Sequence, residues 1–203
     1  MPNKHREPQG TTHGHHHGKI SYLEHPERRK AFSPETLLKR IPLKNTDSVL
    51  DFGAGTGYFT IPAAKQVDGV VYAIDTDLSM LEMIKTKAAK EELTNIVPIQ
   101  GGEGELSIPK ESIDVVIASL VLHEIDPLTE TLMKMKEWLK AGGHLAVVEL
   151  EPKIQPAQKA PRISLIGMEK AIEDAGLRIT DKFFPADSLY VLIARKHEWA
   201  QGE

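Results

Sequence analysis

Val49-Leu50-Asp51-Phe52-Gly53-Ala54-Gly55-Thr56-Gly57-Tyr58-Phe59 is the stretch on which the reading of this chain turns. An apolar run ends in three glycines at alternate positions, and helical spacing begins directly after them. That is a buried strand turning sharply into a helix. Glycines at such a junction let the backbone turn tightly and approach a ligand closely. They also leave room at a helix N-terminus, whose free N–H groups favour negative charge. The spacing is Gly-x-Gly-x-Gly, not the Gly-x-Gly-x-x-Gly of a dinucleotide fold. Asp51 sharpens the distinction: a carboxylate at the strand end repels a pyrophosphate and attracts a ligand's ammonium group.

One β-α-β step further on, Asp75 ends the apolar run Val70–Ile74. A carboxylate at that place can accept both hydroxyls of a ribose. Asp51 and Asp75 together suit a nucleoside bearing a cationic amino acid. Asp75 also precedes a helix that runs to about Lys90, although Asp77 is the more natural N-cap of that helix.

Outward from this unit the chain alternates. Ser48–Phe52, Val70–Ile74, Ile96–Ile99, Ile113–Ala118 and His144–Leu150 read as strands. Tyr58–Val67 and Leu128–Leu139 read as helices, the latter stopped by Gly142-Gly143. Nearly continuous apolar strands separated by helices predict a parallel sheet covered on both faces. After a polar loop from Lys153 to Pro161 comes a helix over Gly167–Ala175. Two strands follow, Leu177–Phe184 and Ser188–Ala194, whose connection is too short for a crossover, so they form an antiparallel hairpin.

The expected organisation is a disordered His-rich tail over 1–19, a helical N-terminal cap over 20–45, the main α/β domain over 46–196 and a short tail over 197–203. The 203 residues carry a net charge of −4, which argues against a polyanion-wrapping protein. No cysteine is present, so disulfides, thiolate metal sites and a cysteine nucleophile are excluded. No apolar run approaches the ~20 residues that span a bilayer. A cytoplasmic location is the expectation.

On these residues the chain resembles a class I S-adenosylmethionine-dependent methyltransferase over roughly Pro34 to Lys196. Asp51–Gly57 matches the family's first motif and Ile74-Asp75 its second. Ile108–Val116 resembles the approach to its fourth strand, and Ser119-Leu120-Val121-Leu122-His123-Glu124 its active-site loop. Lys140-Ala141-Gly142-Gly143 resembles the Pro-Gly-Gly turn before strand five, with Ala141 in place of the proline. The pattern is most similar to small-molecule methyltransferases of the ubiquinone/menaquinone C-methyltransferase type. The resemblance implies a Rossmann-like, mostly parallel sheet of seven strands, with helices on both faces and a C-terminal antiparallel hairpin.

It also implies roles. Gly53 and Gly55 would line the methionine part of S-adenosylmethionine, with Asp51 near its amino group. Asp75 would hold the ribose, and Thr76 and Leu78 would flank the adenine. Ala54, Gly57 and Ser119 complete the implied cofactor set. Gly102 stands where many relatives carry an aspartate for the adenine, which leaves that contact to Glu103 or to backbone and apolar groups. His123 is the candidate general base for a phenol or carbon-acid acceptor. Tyr22, Arg28, His123 and Glu149 are candidate substrate contacts.

Two other functions stay open at this point. His13, His15, His16 and His17 have the density to bind zinc or nickel, so the chain could be a cofactor-binding regulatory or metal-handling module that works through its tail. A nucleotide-dependent oxidoreductase is the third reading, with Asp51 and the glycine spacing against it. A small-molecule methyl acceptor, no nucleic acid and no membrane span are the expected partner pattern; oligomeric state is not legible.

Overall fold

The computed structural model describes residues 32–102, 107–152 and 161–197. The seven strands are β1 (Val49–Phe52), β2 (Val71–Asp75), β3 (Ile96–Gln100), β4 (Ile113–Ser119), β5 (Leu139–Leu150), β6 (Arg178–Ala186) and β7 (Leu189–Arg195). They form a single sheet in the order β3-β2-β1-β4-β5-β7-β6. The first five strands pair in parallel, while β7 runs antiparallel to both β5 and β6. The expected mostly parallel seven-stranded sheet with a reversed hairpin is therefore the observed one. The tail over 1–19 and residues 20–31 of the cap expected over 20–45 lie outside the described residues.

Among the described residues the α-helices are α1 (Pro34–Leu38), α2 (Thr60–Ala64), α3 (Leu78–Lys90), α4 (Leu128–Trp138) and α5 (Leu165–Asp174). Side-chain alternation along the central strands feeds two cores. Leu50, Phe52, Val116, Leu145 and Val147 pack with α4 and α5 residues such as Leu132, Trp138 and Ile172. Val49, Val115, Ile117, Ala146 and Val148 pack with Leu37 and Leu38 of α1 and Ala63 of α2. Both faces of β1, β4 and β5 are thus sealed, which is why these strands are apolar at almost every position.

Local chemistry sets the ends of the helices. Ser33 caps α1, its hydroxyl accepting from the Thr36 N–H. Asp77 caps α3 by accepting from the Ser79 N–H at 2.9 Å, as its position suggests. Asn95 Nδ2 donates to the carbonyls of Ala64, Val67 and Gly69, which collects the loose end of α2.

Three boundaries differ from expectation. Helix α2 is only Thr60–Ala64. Helix α4 stops at Trp138, not at Gly142-Gly143, because Leu139 already pairs with Ile113 of β4. The strand then bulges before His144 resumes pairing opposite Val115, and the two glycines lie within that bulge. A Cβ on Gly143 would sit 3.0 Å from the carbonyl oxygens of Asp114 and Lys140, so the close approach needs a glycine. In the hairpin, β6 continues through Pro185 by means of a second irregularity, and the turn is Asp187-Ser188.

Candidate active site

The carboxyl ends of β1, β2 and β4 open onto a cavity of about 290 Å³. In open parallel sheets this edge is where ligands bind. Asp51, Gly53, Ala54, Gly55, Asp75, Thr76, Gly102 and Ser119 all line it, as the sequence reading expects. Phe52, Thr56, Tyr58, Phe59, Ile74, Leu120, Val121 and Ile125 line it too, and motif reading alone does not single them out.

The glycine turn is built by its neighbours. Gly53, Gly55 and Gly57 all have positive φ, of 71°, 52° and 85°. A Cβ on Gly53 would stand 2.4 Å from Val121 Cγ2, so this glycine lets the loop after β4 close against the turn. The carboxylate of Asp75 braces the same turn from the next strand. Its Oδ2 accepts from the Gly55 N–H at 2.8 Å and its Oδ1 from the Asp77 N–H at 2.9 Å. Asp51 is buried and accepts from the Thr60 hydroxyl at 2.6 Å. Leu120, also at the cavity wall, holds a left-handed φ of 54°, uncommon for a leucine.

The donor set fits a polar, nucleoside-sized ligand. The Thr56 and Ser119 hydroxyls are buried with no hydrogen-bond partner. Buried polar groups are normally paired, and two orphans in one cavity point to a missing polar ligand. Next to Gly102, the direction of a Cβ is open space.

At the rim of the cavity a short 3-10 turn, Leu122–Glu124, carries His123. The imidazole does not line the cavity itself, but its Nε2 lies 3.9 Å from Glu124, which does. Its Nδ1 is 2.9 Å from Oε2 of Glu149 at the end of β5. The bond to Glu149 raises His123's proton affinity above the ordinary histidine value; burial opposes this, and the charges of Glu149 and Glu124 add to it. Arg162 lies close enough for its charge to pull the other way.

Glu149 corrects an expectation. It is fully buried, and its carboxylate holds His123 where the sequence suggests a direct substrate contact. Arg162 is a residue that motif reading misses. Its Nη1 donates to the Glu151 carbonyl at 3.2 Å, and the residues that follow it are pinned. The Tyr190 hydroxyl donates to the Ile163 carbonyl, and Glu151 Oε2 accepts from the Leu165 N–H. Neither Gly57 nor Leu78 lines the cavity: a Cβ on Gly57 would stand 3.0 Å from Ile84, and Leu78 is largely exposed at the start of α3. Glu103, Tyr22, Arg28 and the four tail histidines lie outside the described residues. Among the described residues no cluster of His, Asp or Glu is placed to hold a metal ion, and no helix is long and apolar enough to cross a membrane.

Known proteins fit the same picture. A methyltransferase-domain family model matches residues 50–147, which hold β1 to β5 and most of the cavity wall. A crystal structure of a SAM-dependent methyltransferase from Aquifex aeolicus superposes with a TM-score of 0.79 at 27% identity, covering 88% of this chain and 97% of that one. In this domain and in its fold the chain is similar to the class I S-adenosylmethionine-dependent methyltransferases.

Curated relatives of this chain include the demethylmenaquinone methyltransferase of Listeria monocytogenes. It is 30% identical over 132 residues, 64% of this chain and 54% of the relative. The enzyme of the same name from a Geobacillus strain is 27% identical over the same span. The chain thus spans about half the length of these relatives.

Proposed function

We propose that this chain transfers a methyl group to a small aromatic acceptor with an ionisable hydroxyl, of the quinol class. The observation that carries the reading is the cavity with two unpartnered buried hydroxyls, bordered by a histidine–glutamate pair. The printed name of the Listeria relatives supports the acceptor class. When bound, S-adenosylmethionine supplies a methyl group on a positively charged sulfur, already activated for in-line displacement.

The chain's own residues then have three tasks. The glycine turn, Asp51 and Asp75 would hold the cofactor, with Thr56 and Ser119 satisfied by its polar atoms. Phe52, Phe59, Val121 and Ile125 exclude water and align the acceptor. His123, with Nδ1–H directed at Glu149, presents Nε2 to take the hydroxyl proton. The acceptor ring would then gain nucleophilic density and bond the methyl carbon as the sulfur–methyl bond breaks, its electron pair leaving with the thioether product, and the ring would lose its own proton to solvent.

The test is calorimetric titration with S-adenosylmethionine and S-adenosylhomocysteine, with NADH as control, followed by turnover with a reduced demethylated naphthoquinone. Micromolar cofactor binding and a product heavier by one methylene unit are expected. A folded protein that binds neither cofactor form sinks the methyltransferase reading. Cofactor binding with turnover only of amines or thiols sinks the acceptor class.

A further inference from the structure

Glycines recur along the wall of the cavity, and most of them answer to the backbone. Gly53, Gly55 and Gly101 hold φ of 71°, 52° and 147°, a range that side chains rarely adopt. Gly102 is the exception. Its φ lies outside that range, and a Cβ built on it would meet no atom within 4 Å. Neither strain nor packing demands a glycine there. What the missing side chain gives the cavity is open, uncharged space.

Strand order says which part of a ligand meets that space. The strands β3, β2, β1 and β4 are neighbours in that order, and their carboxyl ends form the ligand edge. Asp51 and the glycine turn belong to β1, Ser119 ends β4 and Asp75 ends β2. With an amino-acid part over β1 and β4 and a ribose at Asp75, the base extends over the end of β3. There Gln100 is the register partner of Asp75, and the Gly101 N–H donates to the Asp75 carbonyl at 3.2 Å. Gly102 follows directly, partly buried on the cavity wall.

The side chains at that end are poorly equipped to read the edge of a base. Among the described residues, Asp75 is the one carboxylate lining the cavity beside β2 and β3, and its oxygens already accept from the Gly55 and Asp77 N–H groups. Gln100 does not line the cavity, and its amide donates instead to the Thr76 carbonyl at 3.4 Å. Ile74 offers apolar contact alone. A wall that holds a ring by shape discriminates weakly between isosteres, whereas a placed hydrogen-bonding group discriminates by orders of magnitude.

We propose that Gly102 is a specificity-determining position that keeps the base end of the cavity tolerant. The site then takes nucleosyl sulfonium and thioether ligands whose purine is altered or enlarged where adenine carries its amino group. The inference rests on the cavity holding S-adenosylmethionine.

The experiment titrates the full chain by calorimetry with S-adenosylhomocysteine, its N6-benzyl analogue and S-inosylhomocysteine. The three should bind within about fivefold of one another. In Gly102→Asp the new carboxylate accepts from adenine's amino group and repels the oxo group of the inosine analogue. Preference for S-adenosylhomocysteine over S-inosylhomocysteine should rise roughly tenfold or more. In Gly102→Leu bulk replaces charge, so preference over the N6-benzyl analogue should rise by a similar factor while preference over the inosine analogue stays put. Melting curves show both variants folded. Rejection of both analogues by the parent chain, by roughly tenfold or more, overturns the proposal, as do equal losses of all three ligands in either variant. A folded parent chain that binds none of the three removes the cofactor reading itself, which separates the two failures.

Discussion

Glu149 and His123 form a closed pair, with both carboxylate oxygens within 3.1 Å of the imidazole Nδ1. The glutamate is fully buried, whereas the histidine side chain keeps 13% of its surface exposed. One end of the ring is therefore fixed by the sheet and the other is left for chemistry. This is the division of labour expected of an oriented general base.

The pair sets a pH dependence. Glu149 raises His123's proton affinity, so the imidazole becomes a free base only above the ordinary histidine value of 6.5. Turnover should rise with pH through an apparent pKa above that value. In Glu149→Gln the acid limb should move to lower pH, with kcat falling more than KM rises. An unmoved acid limb would remove His123 from the proton transfer. The stability arising from the pair should be whole below pH 6.5 and be lost as pH rises through the elevated value.

Two hydroxyls separate binding from folding. Ser119 and Thr56 have no partner in the protein, so Ser119→Ala and Thr56→Val should leave the melting temperature unchanged or slightly higher. Each should weaken S-adenosylhomocysteine binding, by about 0.5–1.5 kcal/mol for a lost neutral hydrogen bond. Calorimetry beside thermal melts checks both halves. A fall in melting temperature without loss of affinity contradicts the assignment.

Gly53→Ala tests the close approach of the two loops. The new Cβ meets Val121 at 2.4 Å on a backbone with φ of 71°. Destabilisation of about 1–3 kcal/mol and a large loss of cofactor affinity are expected. Adding Val121→Ala should recover part of the stability but not the part due to φ. Denaturant unfolding of the single and double variants measures the two contributions.

Tyr190 holds the Arg162 segment from below. Burial pushes its hydroxyl's pKa far above 10, with the charges of Glu149, Glu151 and Glu169 adding to it. Tyr190→Phe leaves the Ile163 carbonyl without its donor and should cost about 1–2 kcal/mol near neutral pH. The tyrosine's own contribution is whole below pH 10 and is lost as pH rises beyond it. The stability gap between the variant and the parent chain should therefore narrow in alkali. Melting curves from neutral pH to above pH 10 follow it.

The legible parts of the molecule are those whose contacts are close in sequence. The glycine turn, Asp75 and the Asp77 cap lie within one β-α-β unit, where spacing and residue type constrain geometry directly. The reversed hairpin is legible because three residues cannot cross a sheet. Helix α4 ends early for a reason no window contains: Leu139 finds Ile113, on a strand reached through a different part of the chain. His123 stands out by type, but its link to Glu149 spans 26 positions and depends on β4 and β5 being neighbours. Arg162 carries no motif at all, and the residues just after it are anchored by Tyr190 and Glu151, which are distant in sequence.

Asp75 has a consequence for how this protein can change. Its two oxygens already steady the N–H groups of Gly55 and Asp77, and the same carboxylate is the one proposed to hold the ribose. A substitution that retunes ligand choice at this position also loosens the turn that shapes the pocket. Cofactor preference is thereby welded to architecture. New specificity has freer passage at the opposite wall, through Val121 and Ile125, apolar side chains that line the cavity and carry none of the turn's hydrogen bonds.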